Sequence, residues 1–71
     1  MASNINLRFA KRLRELRKNQ HLTQQRLAEL ADIEYKHIQA LESGKPPSPR
    51  LETIGKLAKA LGISPSKLID F

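Results

Sequence analysis

The 71-residue sequence predicts an all-α chain of five short helices in a single domain. Three observations lead there. Apolar residues recur at steps of three and four, the spacing of one helix face, and do not alternate with polar ones as strands would. Proline, glycine and capping residues interrupt the pattern every ten residues or so. The length suits one domain, residues 1–71, and with no cysteine its stability has to come from a small helical core rather than disulfides or a thiolate-bound metal.

The first helix is expected from about Asn6 to Asn19, with Ile5, Phe9, Leu13 and Leu16 on its inner face. Thr23 is a good N-cap for the second, and Leu22 and Leu27 fit a hydrophobic staple. Leu27, Ala28, Leu30 and Ala31 would face inward, and Asp32-Ile33-Glu34 makes a three-residue turn. The third helix should run from about Tyr35 to Glu42 with Ile38 and Leu41 inside and Gly44 as its C′ residue. Lys45 to Pro49 cannot continue it, because proline lacks an amide donor. Ser48 followed by Pro49 looks like the start of a fourth helix, with Leu51, Ile54, Leu57, Ala58 and Leu61 on the apolar face and a Glu52–Lys56 pair outside. Gly62 stops it. Ser64-Pro65 opens a short fifth helix leading to Leu68, Ile69 and Phe71.

Charge is uneven. Thirteen Lys and Arg against seven Asp and Glu give +6. The chain is +6 up to Arg26, and +3 from Lys45 onward. Between them lies a segment with Lys36 against Glu29, Asp32, Glu34 and Glu42, net −3. The bases are mixed into apolar periodicity, so they lie on folded elements rather than in a tail. The balance favours a polyanionic partner.

Two short helices joined by a three-residue turn, about residues 23–43, form the unit that docks in a DNA major groove. The second of the pair exposes Lys36, Gln39, Ala40 and Ser43 in one stripe flanked by Tyr35 and His37. Lysine donates to guanine, glutamine pairs with adenine, and alanine packs on the thymine methyl. Spacing equally fits a solvated helix face. His37 fits a phosphate neighbour or a solvated position, and Thr23, a capping residue first, is expected to lie beside the DNA backbone.

The segments FAKRLRELRK (9–18), LTQQRLA (22–28), IQALESGK (38–45) and LETIGKLAKALG (51–62), in that order, resemble the Cro/phage-repressor (XRE-type) helix-turn-helix regulators. The resemblance covers about Phe9 to Leu68 and implies a lambda-repressor-like fold that binds double-stranded DNA. It implies base reading by Tyr35, Lys36 and Ala40 with Gln39 alongside. Backbone contacts would come from Gln24, Ser43 and Lys45. Arg50 would approach the minor groove or the backbone, and Arg17 would pair with Glu42 to join the first helix to the third. The chain departs from the family where the turn reads Asp32-Ile33-Glu34 instead of Gly-Val-Ser. A positive-φ position would then fall on aspartate. Arg26 stands where Glu or Gln would complete a capping box.

One such unit reads few base pairs, so a homodimer on an inverted repeat is expected, with half-sites about 34 Å apart. Leu68, Ile69 and Phe71 exceed what the core needs and mark the expected dimer surface. Together these features describe a small transcriptional regulator, repressor or autoregulator. A second reading keeps the fold but binds a protein, either a toxin or the transcription machinery, through the acidic middle segment. Three aromatic residues are too few for a single-strand stacking platform. No nucleophile–base constellation, phosphate loop or metal-ligand spacing is present, so no enzyme, cofactor or metal is expected. Neither a membrane span nor a signal segment is expected, and the default address is cytoplasmic.

Overall fold

A computed structural model describes residues 4–71; residues 1–3 of the expected domain lie outside the described residues. The helices are α1 (Ile5–Asn19), α2 (Gln24–Ala31), α3 (Tyr35–Leu41), α4 (Leu51–Leu61) and α5 (Pro65–Leu68), with no strand among the described residues.

Local chemistry sets most boundaries. The Asn4 side chain accepts from the amides of Asn6 and Leu7, so α1 starts one residue earlier than its apolar pattern indicates. Thr23 Oγ1 accepts from the Arg26 amide at 3.0 Å, a one-sided cap. Arg26 then pairs with Glu29 on the helix surface. Asp32 ends α2 in the left-handed region, φ 57°, and Gly62 ends α4 there, φ 72°. His21 also has a positive φ, 58°, between α1 and α2. Ser64 caps α5, with Pro65 in its first turn.

Leu13, Leu27, Ile38, Leu41, Leu57 and Leu68 are fully buried at the centre. Phe9, Ala28, Ala31, Ala58 and Leu61 surround them. Arg12 of α1 donates to the carbonyl of Lys67 at 2.8 Å, and Gln20 to that of Leu61 at 2.6 Å. These bonds use helix-end carbonyls that lack an intrahelical partner.

The structure corrects several expectations. Leu68 does not belong to an outer surface: it is fully buried, because α5 folds back onto α4 and inserts it into the core. Leu51 is 86% exposed and Ile5 63% exposed. Each continues an apolar stripe one turn past the edge of the core. Leu30 is also exposed. The fourth helix is capped by Arg50, not Ser48, and without a side-chain hydrogen bond. Ser48 instead accepts from Asn6 Nδ2 at 3.0 Å, tying the loop to α1. Arg50 stays extended, so the first helical bond runs from the Ile54 amide to the Arg50 carbonyl. Gly44 is not left-handed. At the end of α3, Ser43 Oγ instead donates to the Ala40 carbonyl and accepts from the Lys45 amide.

Candidate nucleic-acid interface

The helix-turn-helix pair is held against α1 by one buried polar network. Arg17 Nε donates to Glu42 Oε2 at 2.7 Å and Nη2 to Oε1 at 2.8 Å. Its third nitrogen, Nη1, donates to the Leu22 carbonyl at 2.7 Å. Gln24 Nε2 donates to the same Glu42 Oε1 at 3.1 Å. The two charged side chains are 10% and 2% exposed, so the pair is desolvated. A bidentate fork in which each of the three guanidinium nitrogens has an acceptor is the geometry in which such a pair tolerates burial. The hydrogen bond to Glu42 holds the Arg17 guanidinium above its usual range despite the opposing effect of burial. One carboxylate therefore joins α1, the start of α2 and the end of α3, and sets the orientation of α3.

That anchoring leaves one side of α3 open. Lys36 and Gln39 are exposed, Tyr35 is 44% exposed, and Ala40 is half-buried. The buried Ile38 and Leu41 pin the opposite side. His37 is half-buried; Ser43, Lys45 and Arg50 are exposed. Glu34, at the N-cap of α3, makes no side-chain capping bond and is exposed beside Tyr35.

The backbone-facing residues differ in what they have left to donate. Thr23 accepts through its hydroxyl oxygen, so its hydrogen remains free. Gln24 has committed one of two amide hydrogens to Glu42. Ser43 has committed its hydroxyl hydrogen to Ala40. Lys45 and Arg50 form no ion pair among the described residues. Thr23, Gln24 and Tyr35 come together around one open hollow, which Arg14 also borders. Ser43 lines a second hollow with α1 residues Lys11 and Arg14. The sequence offers those two bases only as part of the basic face of the first helix, which fits solvated surface and weak phosphate attraction equally. Their three-residue spacing on the polar side of α1 is the signal that marks them, but their distance from α3 depends on how α1 packs.

Ile69 and Phe71 are 47% and 38% exposed, away from the buried Leu68. They line a groove of about 330 Å³ with Ile5, Phe9, Pro49 and Ile54. The Arg8 guanidinium lies over the Phe71 ring, 5.2 Å from its centre.

Among the described residues no group of three or more His, Cys, Asp or Glu could hold a metal ion. No described helix is long and apolar enough to cross a membrane.

Comparison with known proteins matches this arrangement. A family profile described as helix-turn-helix covers residues 13–68. Control protein C.BamHI of Bacillus amyloliquefaciens is 35% identical over 72 residues, covering 100% of this chain and 88% of the relative. The HTH-type transcriptional regulator PuuR of Escherichia coli (strain K12) is 40% identical over 68 residues, 96% of this chain but only 36% of PuuR. The crystal structure of the restriction-modification controller protein C.AhdI from Aeromonas hydrophila superposes with a TM-score of 0.83 at 38% identity, covering 89% of this chain and 94% of that one. Prophage Lp1 protein 11 superposes with a TM-score of 0.82 at 32% identity, over 100% and 92%. The chain belongs to the helix-turn-helix family of Cro/phage-repressor (XRE) type.

Proposed function

We propose that this chain is a transcriptional regulator that reads an inverted-repeat operator in double-stranded DNA as a homodimer. The observation that carries this reading is the asymmetry of α3: one side is fixed to α1 and α2 by the Arg17–Glu42–Gln24 network and the apolar core, and the other is open. A helix held in this way enters the major groove without ordering at the moment of binding. Tyr35, Lys36, Gln39 and Ala40 read base edges. Thr23, Gln24, His37, Ser43, Lys45 and Arg50 hold phosphates, with Ser43 exchanging its bond to Ala40 for one to DNA. The phosphate contacts give affinity and salt dependence, and the base contacts give sequence preference.

The residues act as one domain, 1–71, with the helix-turn-helix proper at about 23–43. Its work is binding rather than catalysis, in the cytoplasm where operator DNA is found. The principal extents of 36 × 24 × 22 Å let two copies at a half-site spacing of about 34 Å touch. Ile69 and Phe71, with Ile5 beside them, supply the apolar surface for that contact. Leu68 supports it from the core. The near-full-length likeness to two controller proteins favours control of restriction–modification genes. The relatives lend no support to a toxin-binding role.

Selection of bound sequences from a random duplex pool tests the proposal. An enriched palindrome with half-sites one helical turn apart is the expected result. Equal affinity for selected and random duplexes at matched salt would overturn it. Under the restriction–modification reading, the enriched sequence lies upstream of the chain's own gene or of an adjacent restriction gene.

A further inference from the structure

We propose that Lys11 and Arg14 of α1 grip the phosphate backbone of the duplex that α3 reads, extending the footprint beyond the helix-turn-helix pair. The proposal rests on the DNA-binding reading above. Both side chains are exposed and stand three residues apart on one side of α1. With Ser43 and Gly44 at the end of α3 they line an open hollow of about 580 Å³. Arg14 also borders the hollow that holds Thr23, Gln24 and Tyr35. The two hollows meet at Arg14. Their surface therefore runs from the first turn of α2, past α1, to the end of α3, and takes in Thr23, Gln24 and Ser43 of the proposed backbone contacts.

The charges are disposed to attract an anion there. Neither Lys11 nor Arg14 forms an ion pair among the described residues. Glu15 is exposed nearby on α1 but pairs with neither. The one carboxylate lining the first hollow, Glu42, is neutralised by Arg17 and 2% exposed, so it does not repel a phosphate there. Arg8 shares that hollow, but its guanidinium is engaged over the Phe71 ring. Lys11 and Arg14 are thus the cations lining that hollow for which no ion pair or ring contact is present among the described residues. A phosphate needs only a positive group within reach, and each one neutralised releases a condensed counterion.

The experiment is fluorescence anisotropy across a salt series with two labelled duplexes: the tightest binder recovered from a random pool, and a random sequence. The Lys11→Gln/Arg14→Gln double variant should flatten the slope of log K against log salt by about 3.6 per bound dimer, or about 0.9 for each of four phosphates, on both duplexes. The ratio of its affinities for the two should stay that of the wild type. Arg14→Lys should keep the wild-type slope, because a point charge suffices for a phosphate. Lys59→Gln, in α4 beside Leu30, should leave the slope unchanged. Unaltered far-ultraviolet circular dichroism of these surface variants establishes that they are folded. A double variant with the wild-type slope overturns the inference and leaves the DNA reading standing. A changed affinity ratio also overturns it, by moving the two residues to base edges. Failure of the wild type to bind either duplex removes both.

Discussion

Lys36 and Glu42 sit on the same short stretch of chain and have opposite assignments. Lys36 is exposed and forms no ion pair among the described residues, so its loss should be silent for stability. Lys36→Ala should relax preference at one or two base pairs and cost about 1–3 kcal/mol of binding if it reads a base; a uniform loss over all sequences would reassign it to phosphate. Glu42 is the reverse. Glu42→Gln leaves the buried Arg17 guanidinium without its carboxylate, and breaking one side of such a pair costs about 3–5 kcal/mol. Chains of this size have only about 4–10 kcal/mol in total, so urea denaturation should show most of the stability gone. Arg17→Met/Glu42→Leu should recover part of it, because no charge is left stranded. Arg17 is held above its ordinary range by Glu42, so while that carboxylate is ionised its share of stability is lost on the alkaline side only as pH rises through the raised value. Raising the pH from neutral to mildly alkaline should not weaken the network through Arg17.

At the scale of the elements, the ends of helices carry the most readable chemistry. Thr23→Ala removes the α2 cap and should cost about 1 kcal/mol. Gly62→Ala tests the end of α4. A Cβ there would meet nothing within 4 Å, so the whole cost is backbone conformation at φ 72°. A penalty of about 1–2 kcal/mol for that conformation, less some gain from a stiffer unfolded chain, predicts a net loss of about 1 kcal/mol in thermal melts. An unchanged melting temperature would mean that the turn relaxes. Asp32 is a case where the sequence was legible. The absent turn glycine pointed to a positive φ on aspartate, and φ is 57° there. The start of α4 was less legible. Ser48-Pro49 has the chemistry of a helix start, yet Asn6 of α1 takes the Ser48 hydroxyl and the helix begins at Leu51. No local pattern reports a partner 42 residues away.

For the whole molecule, what matters is which apolar groups the core leaves outside. Ile69→Lys puts a charge on the proposed self-contact without touching the core, since Ile69 is 47% exposed. Sedimentation should then give a monomer at concentrations where the wild type is a dimer, and operator binding should weaken together with it. A variant that still sediments as a dimer would place the contact elsewhere. Leu68→Ala is a different experiment. That residue is fully buried, so truncation should cost about 2–5 kcal/mol of folding stability, read by denaturation.

Helix type, the caps at Thr23, Gly62 and Ser64, the three-residue turn and the family membership could all be read from the chain. They rest on hydrogen bonds and periodicity that close within four or so residues, and on motifs of contiguous residues. Periodicity names the face of a helix but not where the core ends along it, which is why Leu51 and Ile5 lie outside and Leu68 inside. That boundary depends on neighbours distant in sequence, and so does the place of α1. Only once Arg17 reaches Glu42, and Arg12 reaches the end of α5, do Lys11 and Arg14 come to lie beside the end of α3. Burial and long-range pairing are properties of the packed molecule, since each is set by atoms that meet only after the chain has closed on itself.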